Sequence, residues 1–508
     1  MHRARFLVPA VSLGLLAGSL IVAPVQAAAP PPSVNATAFT PTLTYVTCPV
    51  GEKLPPRTRC ATLTVPLDWQ TPDDGNTIEI ALRVTRSKQR GGGLTFNPGG
   101  PGGSGIELAY EQYYELPVSV RNRFDLVSWD PRGVGLSGPA LSGCSPATGA
   151  NLPPTGPVDW QAFWEADLAE TAAANAACLA ANPDTASALG TWQVVRDMEA
   201  MRIALGYAQW NYWGMSYGTR IGHAYARTFP TSLRALIMDG SVMAGETLNR
   251  FGTTYPAGVQ VARQVYASVA GRAQAHKIDT IFTYLDDSVI RNEAGTFTRW
   301  DFQSLVGPNG LFMGQRNIPL LRALVNGLYD IVTAATPSAR ARALRGAGDV
   351  LERALKANEP AAVQTLINCA DLHDRPTAGQ LAAASIAAER QYGTTAPIAM
   401  GNASVCAGLP ADMSPASPNG TSTITLATPP MFVLSTGDPA TQWVWGRSMA
   451  NTFARSRTIS YASTQHVTYL QTPSTCVNDP VTRYLLTLQL PRADISCAFT
   501  PSPPPPPQ

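Results

Sequence analysis

Little of this chain is charged. Asp, Glu, Lys and Arg make up 14% of its 508 residues, where a soluble protein usually has about a quarter, and the formal net charge is +2. That balance excludes a nucleic-acid partner, whose phosphates demand a strongly basic face. Lysine occurs only at Lys53, Lys88, Lys277 and Lys356, so nearly every cation is an arginine; with 42 glycines, 44 prolines and abundant alanine, this is the composition of a GC-rich bacterial gene. Histidine is also rare, with five residues, which leaves few candidates for acid–base chemistry near neutral pH. No Cys-x-x-Cys pair occurs, so the cysteines do not read as zinc ligands or a redox couple. No Lys-Ser/Thr follows the glycine-rich stretch at residues 98–105, so a nucleotide-binding phosphate loop is excluded too. No metal and no cofactor are expected.

What is present begins with length. A chain of 508 residues exceeds the roughly 250–300 at which a single core stops growing, so one large domain carrying an insertion is expected. Residues 1–27 place Arg3 and Arg5 ahead of an apolar run over residues 6–23 and end in Val25-Gln26-Ala27, a small-x-small cleavage signal; they read as a secretory signal peptide. Pro9, Ser12 and several glycines weaken the run as a membrane anchor, and no stop-transfer pattern follows. Export to the extracellular space or cell envelope, without stable membrane insertion, is therefore expected. Eight cysteines in an exported chain imply disulfides, and a preference for short loops pairs Cys48 with Cys60, Cys144 with Cys178, Cys369 with Cys406 and Cys476 with Cys497. Residues 28–41 read as a flexible lead-in and residues 501–508 as an extended proline-rich tail.

The chain is organised around Asn211-Tyr212-Trp213-Gly214-Met215-Ser216-Tyr217-Gly218-Thr219, an apolar strand running into Gly-x-Ser-x-Gly and then a helix over residues 219–228. A serine on so sharp a strand-to-helix corner needs flanking residues without side chains, because the backbone passes closely there, and Gly214 and Gly218 meet that need. The motif occurs once. Upstream, residues 61–67 and 78–85 alternate as strands about Asp73-Asp74-Gly75-Asn76, and residues 94–97 form a buried strand that ends in Pro98-Gly99-Gly100-Pro101-Gly102-Gly103-Ser104-Gly105. Such a loop lets backbone N–H groups converge on a developing oxyanion, with Gly100 as one donor and Tyr217, next after the serine, as the other. Another buried strand, residues 124–129, precedes Asp130-Pro131-Arg132, whose two charges read as an ion pair holding a loop. Helices over residues 160–181 and 192–205 and a strand over residues 233–239 complete an alternation that implies a mostly parallel sheet with helices on both faces.

The alternation stops after Asp239. Helical patterns over residues 259–273, 319–334, 339–356 and 378–391 mark an inserted helical cap, placed at residues 241–425 between core segments at 42–240 and 426–500. The sheet resumes at residues 431–434, runs to Gly437-Asp438, and ends with a last strand at residues 458–461, five residues before His466. Of the five histidines, His2 leaves with the signal, His223 lies on the nucleophile helix, and His276 and His373 fall in the cap; His466 remains as the base. Two aspartates end strands. Asp438 is preferred as the acid because it directly follows the penultimate strand, while Asp239 is the competitor and reads better as pocket wall. The order Ser, Asp, His is that of an α/β-hydrolase fold.

These motifs, together with Asp438-Pro439-Ala440-Thr441 and the C-terminal cysteines, resemble the secreted tripeptidyl aminopeptidases and related proline-iminopeptidase-like enzymes of the α/β-hydrolase superfamily, over nearly the whole exported chain. The resemblance implies a triad of Ser216, Asp438 and His466, an oxyanion hole at Gly100 and Tyr217, and release of short peptides from free amino termini. A small ester is the alternative substrate, since the same triad cleaves either bond, and a non-catalytic binding protein on the same fold is a third reading. An ammonium entering a closed site needs a carboxylate, for which Glu246, Asp239 and Glu107 are the candidates. The sequence departs from the family pattern at Gln442, where proline is usual, and at Gln465 and Val467, which flank His466 in place of small residues.

Overall fold

The computed structural model describes residues 39–145, 147, 152–292, 295–307, 310, 314–355 and 362–501. The expected signal peptide, most of the expected lead-in and nearly all of the proline-rich tail lie outside the described residues.

Ten strands form one sheet: β1 (Thr42–Val46), β2 (Thr58–Pro66), β3 (Thr77–Thr85), β4 (Gly93–Asn97), β5 (Asp125–Trp129), β6 (Trp210–Met215), β7 (Leu233–Asp239), β10 (Met431–Ser435), β11 (Arg457–Tyr461) and β12 (Ile495–Cys497). A separate hairpin pairs β8 (Ile290–Asn292) with β9 (Gly295–Phe297). The sheet order is β1-β2-β3-β5-β4-β6-β7-β10-β11-β12. Pairing is antiparallel from β1 through β5 and parallel from β5 to the far edge. Every residue of β4, β5, β6 and β10 is buried, as strands covered on both faces must be.

The helices are α1 (Ala109–Glu115), α2 (Val118–Arg123), α3 (Trp160–Ala181), α4 (Thr191–Leu205), α5 (Gly218–Thr228), α6 (Leu248–Ala270), α7 (Arg272–Asp287), α8 (Arg299–Leu305), α9 (Ile318–Val332), α10 (Pro337–Leu355), α11 (Ala362–Asp371), α12 (Ala378–Tyr392), α13 (Trp443–Ala450) and α14 (Thr475–Thr487). On one face, Trp213, Met215, Ala235 and Ile237 pack with Tyr113 of α1, Val120 of α2, and Val481 and Tyr484 of α14. On the other, Gly222 brings α5 against the sheet, where an added Cβ would stand 3.0 Å from both Met238 Sδ and the Tyr212 ring. The fold is therefore that of an α/β-hydrolase, with helices on both faces of a mostly parallel sheet.

Four details differ from the sequence reading. The last strand is β12, beyond residues 458–461; it is three residues long and pairs in parallel with β11. Asp130 and Arg132 do not pair with each other. Arg132 is fully buried and grips Asp197 with Nε and Nη2 at 2.7 and 2.6 Å, while Asp130 accepts from the Ser104 hydroxyl and the Ile106 and Leu136 N–H groups, tying the glycine-rich loop to the loop after β5. Helix α6 begins at Leu248, capped by the Thr247 side chain, and continues through Pro256, the residue that hides its first turns from a periodicity reading. Finally, α3 precedes the elbow in sequence yet packs with the inserted helices: Trp160, Phe163 and Trp164 join Trp300 and Leu381, and the Trp164 indole donates to Ser385 at 2.8 Å. The eight cysteines form Cys48–Cys60, Cys144–Cys178, Cys369–Cys406 and Cys476–Cys497. No helix among the described residues is long and apolar enough to cross a membrane.

Candidate active site

Ser216 stands at the corner between β6 and α5 with φ of 54°, a left-handed conformation that costs a non-glycine residue about 1–3 kcal/mol. The surroundings hold it there. A Cβ on Gly214 would lie 2.4 Å from the Gly218 carbonyl oxygen, and one on Gly218 would lie 2.5 Å from that of Asn97. The Ser216 N–H donates to the Asp239 carbonyl at 2.9 Å, which pins the corner to β7. The glycine-rich loop passes close by, since a Cβ on Gly99 would come within 2.6 Å of Ser216 Cβ.

His466 follows β11 and donates from Nδ1 to Asp438 Oδ2 at 2.9 Å, the carboxylate being the acceptor. Asp438 is itself held by four groups. Its Oδ1 accepts from the Ala440 and Thr441 N–H groups, each at 2.9 Å, and its Oδ2 takes the Thr441 hydroxyl at 2.9 Å besides the imidazole. Burial pulls the imidazole pKa down, but the charge and hydrogen bond of Asp438, with the charge of Asp239, more than offset it, so His466 stands above its ordinary value. Asp239 sits below the histidine loop. It accepts the Thr468 N–H on Oδ1 at 2.8 Å and the Tyr469 N–H on Oδ2 at 2.9 Å, and burial pushes its carboxyl up to about 7. It anchors the loop that carries the histidine, while the imidazole itself bonds to Asp438.

A cavity of about 260 Å³ brings Ser216, Tyr217, Gly100 and His466 together with Glu246, Arg220, Phe251, Tyr255, Gln364 and Asn368. Of the carboxylates proposed from sequence for an ammonium, Glu246 lines it, Asp239 does not, and Glu107 is exposed and outside it. Glu246 Oε2 receives the Arg220 guanidinium at 2.8 Å, and Arg220 also reaches Asp371 Oδ2 at 2.9 Å and Asn368 Oδ1 at 3.0 Å. Burial raises the carboxyl pKa of both Glu246 and Asp371, against the lowering by Arg220. Arg220 and Asp371 were not singled out by the sequence reading. The available signal was an arginine on the third residue of a helix buried along most of its length, where a cation requires a partner.

The two glutamines that depart from the family pattern both reach the insertion. Gln442 Nε2 donates to the Thr254 carbonyl of α6 at 2.7 Å, and Gln465 Oε1 accepts the Gln315 N–H at 2.7 Å. Tyr255 of α6 donates its hydroxyl to the Ala440 carbonyl at 3.0 Å. The loops bearing Asp438 and His466 are thus tied to the segment between β7 and β10. Among the described residues no His, Cys, Asp and Glu cluster could hold a metal ion.

Comparison with known proteins bears on this arrangement. Residues 94–284 match the family model for the alpha/beta hydrolase fold, and residues 393–497 match that for TAP-like protein. Serine protease Hip1 of Mycobacterium tuberculosis is 31% identical over 471 residues, covering 88% of this chain and 88% of that protein. Carboxylesterase B of the same organism is 29% identical over 473 residues, covering 87% and 86%. Tripeptidyl aminopeptidase of Streptomyces lividans is 35% identical over 208 residues, 38% of this chain and 37% of that one. The chain belongs to the TAP-like family of α/β-hydrolases and is a serine hydrolase.

Proposed function

We propose that this hydrolase is an exported exopeptidase that releases short peptides from free amino termini. Ser216 is the nucleophile and His466 the base that takes its proton. Asp438 orients the imidazole, and the Gly100 and Tyr217 N–H groups receive the oxyanion. The hydroxyl oxygen adds to the scissile carbonyl, the proton on the imidazole passes to the leaving amine, and water then repeats the sequence to free the acyl group from Ser216. Four disulfides fit export.

The observation that carries the reading is an excess of carboxyl groups over cations. Among the described residues Arg220 is shared by Glu246 and Asp371, so the buried cluster holds two carboxyls for one guanidinium, and Glu246 Oε1 is buried with no hydrogen-bond partner. Glu246 lines the same cavity as Ser216, and an unpaired buried carboxylate oxygen there is costly in an empty site and is matched by a substrate ammonium. An ester would leave it unpaired. The peptidase names of Hip1 and the Streptomyces aminopeptidase support the same reading.

The test compares a tripeptide anilide, its N-acetyl derivative and short-chain esters. Acetylation should lower kcat/KM by about 1.5–3 kcal/mol, the loss of a charge-assisted hydrogen bond. Glu246→Gln should remove most of that difference. Equal rates on free and blocked peptides, or esters cleaved faster than any peptide, would replace the peptidase reading with the esterase one.

A further inference from the structure

Helix α11 of the cap reaches both residues assigned to the oxyanion hole, Gly100 directly and the Tyr217 side chain through Thr191. At its N-terminal end, Gln364 Nε2 donates to the Gly100 carbonyl at 3.4 Å, and Val363 Cγ1 packs where a Cβ on Gly102 would be 2.9 Å away. At its C-terminal end, Asp371 accepts the Thr191 N–H and hydroxyl, each at 2.6 Å. Since that hydroxyl is donating, it accepts the Tyr217 phenol, 2.7 Å away, so a chain runs from Tyr217 through Thr191 to Asp371. The Cys369–Cys406 disulfide secures the same turn.

The middle of the loop draws on outside support. Gly99, Gly100 and Gly102 have φ of 100°, 106° and 99°, so no side chain restricts them; the loop's ends are held by Gly99 N–H on Asn97 Oδ1 at 3.0 Å and by Ser104 and Ile106 on Asp130, and within it Gly103 N–H donates to the Gly99 carbonyl at 3.0 Å. That bond fixes the peptide whose N–H belongs to Gly100; Gln364 fixes the next one. Oxyanion donors act through their placement before the charge develops, and a displacement of about 1 Å can cost on the order of 100-fold.

We infer that α11 aligns the oxyanion hole, with Gln364 and Thr191 as positioning residues acting on Gly100 and Tyr217. The inference rests on the assignment of Ser216 and the two donors made above. It makes turnover a property of cap placement: the core holds the nucleophile, and the insertion sets the donors that stabilise its transition state.

The experiment uses Gln364→Ala, at a half-buried position, and Thr191→Val, which removes the hydroxyl link and keeps the backbone N–H. With a free tripeptide anilide, each variant should lose about 10- to 100-fold in kcat with KM little changed. A tripeptidyl trifluoromethyl ketone, whose tetrahedral adduct carries the oxyanion, should bind more weakly by the same factor. The affinity for the tripeptide product, which carries none, should hold. Wild-type kcat in both variants, or equal weakening of ketone and product, would overturn the inference while phosphonate labelling of Ser216 still upholds the serine-hydrolase site. Full turnover by Ser216→Ala would remove both.

Discussion

Asp438→Asn has a consequence that follows from the four bonds around one carboxylate. Asp438 Oδ1 accepts two backbone N–H groups, from Ala440 and Thr441. An asparagine at 438 must keep its carbonyl oxygen there, since its amino group would face two donors. The NH₂ then points at the Thr441 hydroxyl and at His466 Nδ1. Donating to Nδ1, it forces the proton of a neutral imidazole onto Nε2, the nitrogen that must be free to take the serine proton. Geometry stays, and the tautomer is wrong. Loss of the correct tautomer elsewhere costs about 10⁴-fold in kcat, or about 5.5 kcal/mol at 1.36 kcal/mol per decade. Stability should change by less than about 2 kcal/mol, because the backbone bonds survive. Asp239→Asn is the control with the opposite signature. Both oxygens of Asp239 accept loop N–H groups, so either amide orientation breaks one bond; the variant should lose about 1–3 kcal/mol of stability while leaving the tautomer alone. Single-turnover rates and urea melts on both variants decide the matter. Asp438→Asn with more than a tenth of wild-type kcat, or a four-decade loss in a stable Asp239→Asn, would refute the assignment.

The remaining expectations are briefer. Because Asp438 and Asp239 hold the His466 imidazole above its ordinary pKa, and imidazolium cannot take the serine proton, the acid limb of kcat/KM should have its midpoint above about 6.5; a lower midpoint in a pH series would contradict this. Arg220→Met strands Glu246 and Asp371 as buried carboxylates and should cost about 3–5 kcal/mol in a denaturant melt, whereas an unchanged melt would mean that both carboxyls are neutral in the native protein. Gly218→Ala puts a Cβ 2.5 Å from the Asn97 oxygen, where backbone must shift; a loss of about 1–3 kcal/mol together with slower phosphonate labelling of Ser216 is expected, and normal labelling would show that the corner relaxes.

The sheet was legible where each element declared itself locally. The apolar runs at β4, β6 and β10 and the glycines at the elbow are short-range features, and the parallel core follows from them. What stayed hidden depends on contacts between distant residues. Strand β12 has three residues, too few for a periodicity, and is placed by pairing with β11 and by the Cys476–Cys497 link. Helix α11 is ten residues long, and its importance lies in what its two ends reach, Gly100 at one and Thr191 at the other. Glu107 and Glu246 look alike in sequence. Only the folded chain puts one in water and the other under Arg220.

Asp239 and Asp438 show how little the position at a strand end decides. Asp239 is the last residue of β7, Asp438 lies in the turn that follows the neighbouring strand β10, and both are buried. They differ in what their lone pairs meet. Asp239 gives one oxygen to the Thr468 N–H and the other to the Tyr469 N–H and, at 3.4 Å, the Trp213 indole, so the carboxyl, its pKa raised by burial, is committed to shaping the loop. Asp438 confines the backbone to Oδ1 and leaves Oδ2 for side chains, which places a full carboxylate oxygen on the imidazole. The loop after β10 makes that division: Ala440 and Thr441 return their N–H groups to Oδ1, the Gln442 side chain fixes the turn to α6, and an added Cβ on Gly240 would already stand 3.3 Å from the imidazole. For residue 239 to serve as the acid it would have to give up the Thr468 and Tyr469 N–H groups, and in the proposed triad Asp239 instead holds the loop that carries the base.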